Sequence, residues 1–315
     1  MQQVDESHVD QLRIPRKDPI MASAELQAVI DQLRANPLDA NAPLEVLRTA
    51  FPEAPAPDGT TATPIDAGGI PAEWVVADNA SPELRLLYLH GGGYVICGPA
   101  THRDLAGRIS QASGVSVLVI DYRLAPEHPF PAAVNDAVAA LRWMRDHGPA
   151  GAAPARATFV AGDSAGGGLT LATLLAVRDT GERVPDAAVT ISAWTDLACT
   201  GDSVHTRADV DPMVTDAVLR RMTAEYLQGG EATQPLASPL YADLRGLPPL
   251  LMQVGDAEVL LDDTTRVATK AQAAGCEVTL EVYPEMMHIF QLFAPVLPEG
   301  QQAIDRIGRF IKQYV

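Results

Sequence analysis

The pentapeptide Gly162-Asp163-Ser164-Ala165-Gly166 lies between an apolar run, Thr158–Ala161, and a helical run, Gly167–Asp179. A serine in that position has to turn the chain sharply from strand to helix. Such a turn strains the serine backbone, and the flanking glycines remove side chains that would collide with it. The Ser164 hydroxyl is then presented at the head of a helix, where the N-terminal dipole favours developing negative charge. A bare Gly-x-Ser-x-Gly pattern recurs by chance; its placement between strand and helix is what gives this one weight.

The rest of the chain supports a fold built for such a turn. Short β-rich runs recur at Glu73–Ala77, Leu84–Leu89, Ser116–Ile120, Thr158–Ala161, Ala188–Ala193, Leu250–Val254 and Glu277–Val282. The last five are largely apolar, as expected of strands covered on both faces. Between them lie helical runs at His102–Ser113, Ala132–His147, Gly167–Asp179, Asp262–Ala274 and Gln301–Tyr314. This alternation predicts an α/β fold, a mostly parallel sheet flanked by helices. Two segments stand outside it. Residues 1–50 read as helical, with Leu26, Val29, Ile30 and Leu33 on one face of Met21–Leu33 and a second short helix starting at Pro43. Residues 200–230 follow a strand and hold a helix near Asp216–Leu227. The expected division is therefore a helical cap from residues 1–50 and 200–230 over a core of residues 51–199 and 231–315, covering the strand ends where open α/β sheets bind ligands.

A nucleophilic serine needs an oxyanion cradle, a base and an orienting acid. The run Leu84–Leu89 leads directly into His90-Gly91-Gly92-Gly93, whose backbone amides can turn toward a carbonyl oxygen without side-chain obstruction. The expected donors are the N–H groups of Gly92, Gly93 and Ala165, each worth about 3 kcal/mol of transition-state stabilisation. His90 itself reads as a structural residue of that loop. The base should follow the serine. Of seven histidines, five precede Ser164 and His205 falls in the 200–230 insertion, which leaves His288 beyond the last strand. The acid belongs after Leu250–Val254, where Asp256, Glu258, Asp262 and Asp263 compete. Asp262 and Asp263 have the look of helix N-cap and first-turn residues, leaving Asp256 and Glu258 open.

Composition narrows the partners. A formal net charge of −17 over 315 residues repels phosphate backbones and anionic lipid surfaces, so neither nucleic acid nor a membrane is an expected partner. Cys97, Cys199 and Cys276 are widely scattered, which argues against a disulfide framework and a cysteine-rich zinc site. No HExxH pair or clustered His and carboxylate set is visible, and no cofactor or metal is expected. The N-terminal residues lack a basic segment followed by an apolar one, so the expected compartment is the cytoplasm.

Taken together, HGGG at 90–93, DYRLAPEHPFPAA at 121–133, GDSAGG from 163 and the stretch around Glu258 and His288 resemble the bacterial hormone-sensitive-lipase family of esterases, in the α/β-hydrolase superfamily. The resemblance runs from about Leu84 to the C-terminus. It implies an eight-stranded, mostly parallel sheet with a helical cap, and a cofactor-free carboxylesterase acting on short-to-medium acyl esters of small molecules. It also implies a homodimer. It favours Glu258 as the acid: many relatives carry a D-P-L-x-D run, and Glu258-Val259-Leu260-Leu261-Asp262 corresponds to it with glutamate first. Either carboxylate can hold the imidazole tautomer and stabilise the imidazolium. The same machinery would serve a lactone or an amide, and a non-catalytic ligand receptor is a further alternative that retention of both Ser164 and His288 opposes. The 121–133 stretch and Trp194–Asp196 read as scaffold bracing the site. Cys97 reads as a small buried residue, and Met286, Met287, Phe290 and Phe293 as core side chains before pocket walls.

Overall fold

In a computed structural model, which describes residues 23–315, a central sheet carries eight strands: β1 Thr60–Asp66, β2 Pro71–Ala77, β3 Ser81–Leu89, β4 Val115–Ile120, β5 Ala157–Asp163, β6 Ala187–Ile191, β7 Leu250–Gly255 and β8 Val278–Tyr283. Their spatial order is β1-β2-β4-β3-β5-β6-β7-β8. The β1–β2 and β2–β4 pairs are antiparallel and every later pair is parallel. The α/β-hydrolase architecture expected from the sequence is thus present, with β5 and its serine turn between β3 and β6.

The strand sequences explain the layering. Every residue of β4, β5, β6 and β7 is buried, so these strands are covered on both faces. Full burial of one Val, Leu, Ile or Phe side chain contributes roughly 1.5–3 kcal/mol. One covering layer is α9, Pro298–Ile311, whose buried Ala303, Ile304, Ile307, Phe310 and Ile311 recur at helical spacing. It packs closely on α3, Pro99–Ser113, where Gly308 meets the Ala112 backbone. The opposite face is covered by α4, Ala132–Asp146, and α5, Ala165–Asp179. The remaining helix of the core, α8, is Leu261–Ala273.

Several boundaries differ from the sequence reading. β1 was not anticipated, because its sequence, Thr-Thr-Ala-Thr-Pro-Ile-Asp, is mostly polar and it leaves the opposite edge unpaired among the described strands. The N-terminal helix α1 spans Ala24–Ala35, capped by the Ser23 hydroxyl, and the expected Met21 start lies outside the described residues. Pro43 precedes the short helix α2, Leu44–Leu47, rather than opening it. β6 stops at Ile191, two residues early, because Ser192 turns into a left-handed conformation with φ 48°. Asp262 is not an N-cap: Leu260 holds that place and both aspartates fall in the first turn of α8.

Residues between β6 and β7 form the short helix α6, Ser203–Thr206, and α7, Asp216–Leu227, capped by Thr215. They meet the N-terminal segment directly. Arg221 donates to the carbonyls of Ala40 and Ala42 at 2.7 and 2.5 Å. The lower side of α7 rests on the loop after β3: the Tyr226 ring stacks on Tyr94 with centroids 3.9 Å apart, and a Cβ on Gly93 would run into Met222.

Candidate active site

Ser164 has φ 53° and ψ −121°, a strained conformation for a residue with a side chain, and α5 begins immediately after it. The turn is enforced by its neighbours. A Cβ on Gly162 would strike the Gly166 carbonyl, and one on Gly166 would strike the carbonyls of Leu89 and His90. Backbone bonds fasten the serine to the next strand end: its N–H donates to Ile191 at 2.9 Å and its carbonyl accepts from Trp194 at 2.9 Å. Ala165 is the first helical residue, and the N–H of such a residue has no acceptor within its own helix.

The loop after β3 brings Gly92 and Gly93 to the same cavity as Ser164, with φ of 107° and 62°. A side chain on Gly92 would meet the Ile96 carbonyl, so glycine is required at this turn. His90 is fully buried, its Nδ1 donates to the Gly91 carbonyl at 2.7 Å, and its ring stacks on Tyr122 at 4.2 Å. Burial, reinforced by His102, pushes its pKa down to about 3, so it stays neutral and serves the loop as expected. Tyr122, from the 121–133 stretch, donates its hydroxyl to the His90 carbonyl at 2.7 Å. This makes the bracing role of that stretch concrete.

His288 follows β8 and Glu258 follows β7. The structure brings them together: His288 Nδ1 lies 2.6 Å from Glu258 Oε2, and both side chains are buried. The second carboxylate oxygen accepts the Gly255 N–H at 3.0 Å. Burial raises the Glu258 pKa, while the bond to His288 pulls it back. For His288, burial works against the imidazolium, but the hydrogen bond and charge of Glu258, with smaller contributions from Asp211 and Asp163, hold its pKa above the ordinary histidine value. Asp256, the other candidate acid, is placed elsewhere. Its Oδ1 accepts the Glu285 N–H at 2.6 Å and so braces the loop leading to His288.

The cavity onto which Ser164, His288, Gly92 and Gly93 open has about 70 Å³ of free volume. Its walls include Leu38 and Phe51 from before β1, Met213, Val214, Val218, Leu219 and Met222 from between β6 and β7, and Ile289 and Leu292 from beyond β8. Cys97, expected as a buried filler, also lines it, and burial pushes that thiol up to about 12. Trp194 is a wall as well as a brace. Met286, Met287 and Phe290 instead pack with Leu26 and Val29 in a core cluster, as expected.

Sequence reasoning missed Asp163 as a structural anchor. It is fully buried, and its carboxylate accepts from Tyr88 Oη at 2.7 Å, Gly91 N–H at 3.2 Å and His102 Nε2 at 3.3 Å. It thereby ties the glycine loop to the serine turn. Burial alone would raise its pKa, but His102 and the Tyr88 hydroxyl hold the carboxyl below its ordinary value. A charged residue inside an otherwise small-residue motif was the available signal. Among the described residues no cluster of three His, Cys, Asp or Glu side chains is arranged to hold a metal ion, and no helix is long and apolar enough to cross a membrane.

Residues 86–292 match the family of the α/β hydrolase fold. An acetyl-hydrolase of Streptomyces hygroscopicus is 45% identical over 296 residues, covering 93% of this chain and 97% of that protein. Among solved structures, that of EstE5 soaked with p-nitrophenyl butyrate is 43% identical with a TM-score of 0.86, covering 93% of this chain and 99% of that one. The structure of an esterase from the bacterial hormone-sensitive lipase family is 46% identical with a TM-score of 0.86, covering 94% and 99%.

Proposed function

The chain belongs to the α/β-hydrolase family, among the serine ester hydrolases of its hormone-sensitive-lipase branch, and on that premise we propose that it hydrolyses short-acyl esters through Ser164, His288 and Glu258. The observation that carries this reading is the buried 2.6 Å pair of His288 and Glu258, whose histidine lines one cavity together with Ser164 and the Gly92–Gly93 turn. In this account His288 Nε2 takes the Ser164 proton as the hydroxyl attacks the ester carbonyl. Glu258 keeps the imidazole in the required tautomer and stabilises the imidazolium. The N–H groups of Gly92, Gly93 and Ala165 hold the oxyanion, and the alcohol leaves with the proton from His288. Water, activated by the same histidine, then releases the acid from the acyl-enzyme.

Cavity size supports the substrate class. About 70 Å³ with mostly apolar walls is small beside the ~150 Å³ apolar cavity that accommodates a benzene ring. An acetyl to butyryl group suits that space. In our reading residues 23–50 of the N-terminal segment and residues 200–230 act together as the cap that excludes water from it, since Leu38, Val218, Leu219 and Met222 supply the roof.

The test is a p-nitrophenyl ester series on the wild type and three variants. Ser164→Ala should lose turnover entirely while folding normally. Glu258→Ala should lose far more activity than Asp256→Ala. Dominant loss in Asp256→Ala would move the acid by two positions, and turnover by Ser164→Ala at the wild-type rate would end the proposal.

A further inference from the structure

Ser192 is fully buried just beyond β6 and has φ 48°, in the left-handed region. Glycine enters that region freely, whereas a residue with a Cβ is disfavoured there. A retained side chain in such a place calls for a function. The Ser192 Oγ accepts the backbone N–H of Ile289 at 3.0 Å, and Ile289 directly follows His288. The Ser192 side chain also draws the Glu258 pKa downward, against burial. Its backbone N–H donates at 2.7 Å to Gln253 in β7, the strand that leads to Glu258. On either side of it, the Ile191 carbonyl and the Trp194 N–H grip the backbone of Ser164.

One residue therefore stands where the nucleophile, acid and base loops meet. Ile289 is itself left-handed, with φ 46°, so the loop carrying His288 is held in a shape it does not prefer. The bond to Ser192 Oγ is a tie against its relaxation.

We propose that Ser192 is a positioning residue. Resting on the Ser-His-Glu reading, it sets the mutual placement of Glu258 and His288: its hydroxyl accepts from the loop that carries the base, and its backbone N–H ties to the strand that leads to the acid. With the base loop held in this way, His288 Nδ1–H stays engaged with the Glu258 carboxylate, leaving Nε2 to face Ser164. Displacements near 1 Å at such a site can cost about 100-fold in rate. A serine that merely filled space would affect melting and leave the chemistry alone.

The experiment compares Ser192→Gly and Ser192→Ala with wild type and Ser164→Ala, using p-nitrophenyl butyrate and counting active sites with a fluorophosphonate. Both Ser192 variants should show kcat per active site reduced tenfold or more with KM within twofold of wild type. The downfield proton resonance of His288 Nδ1–H should broaden or move. Ser192→Gly, relieved of the backbone strain, should melt within a few degrees of wild type. A kcat per active site within twofold of wild type, beside an inactive Ser164→Ala, would overturn the positioning role and leave the triad standing. The same unchanged kcat with a collapsed melting temperature would make Ser192 structural only. Full activity in Ser164→Ala would remove the triad reading and this proposal with it.

Discussion

The charge on Glu258 governs how His288 behaves. Catalysis needs the neutral imidazole, and Glu258, aided by Asp211 and Asp163, holds the His288 pKa above its ordinary 6.5 despite burial. Activity is therefore lost as pH falls through that raised value, and the acid limb of kcat/KM should have its midpoint above 6.5. Glu258→Gln removes the charge and leaves burial dominant, so the midpoint should move downward while kcat falls on the order of 10³–10⁴-fold. A pH-rate profile of both proteins measures this, and an unmoved midpoint would separate Glu258 from the base. At this scale much was legible. Ser164 and the glycines declared themselves by pattern, and His288 by elimination. Glu258 needed a family resemblance, because its nearest rival, Asp256, sits two residues away in the same loop and only the three-dimensional path of that loop separates them. Ser192 carried no signal, since its burial and left-handed backbone are invisible in a run such as Ile191-Ser192-Ala193.

Among the elements, α7 has the largest say over what enters the site. It places Val218, Leu219 and Met222 in the cavity wall, presses Met222 on Gly93, and stacks Tyr226 on Tyr94. A movement of α7 would thus disturb both the roof and the glycine loop. Leu219→Ala should enlarge the cavity, shifting the preferred acyl chain upward by two or more carbons and costing about 2–3 kcal/mol of stability. A chain-length profile and chemical denaturation check this; an unchanged preference would place the acyl group elsewhere. The strands and core helices were readable from periodicity because they are buried in patterned ways. β1 was not, because an edge strand with one neighbour needs little apolar character and its pairing with β2 is set at long range. The way α1, α2 and α7 meet was also beyond the sequence, since contacts such as Arg221 with the Ala40 and Ala42 carbonyls join segments some 180 residues apart.

For the whole molecule, the parallel sheet gathers the ends of β3, β5, β6, β7 and β8 at one edge, and that convergence assembles the site from five loops. Stability is drawn partly from the same region. Asp263 is fully buried, accepts from the N–H groups of Thr195 and Asp196, and lies near the Asp196 carboxylate. Burial first, and then Asp196, raises its pKa from 3.8 to about 8. A raised folded-state pKa gives a contribution to stability that is complete below about 3.8 and lost as pH rises through about 8. Denaturant unfolding between pH 5 and 8.5 should therefore show declining stability, and Asp263→Asn should flatten the decline. An identical slope in the variant would contradict this. The central claim remains acylation of Ser164, and the most direct measurement is to react the native enzyme with a fluorophosphonate and map the adduct by peptide mass spectrometry. One equivalent on Ser164, with ester hydrolysis lost in proportion, is the expected result. Ester hydrolysis that persists with Ser164 fully modified, or an adduct on a different residue, would contradict it.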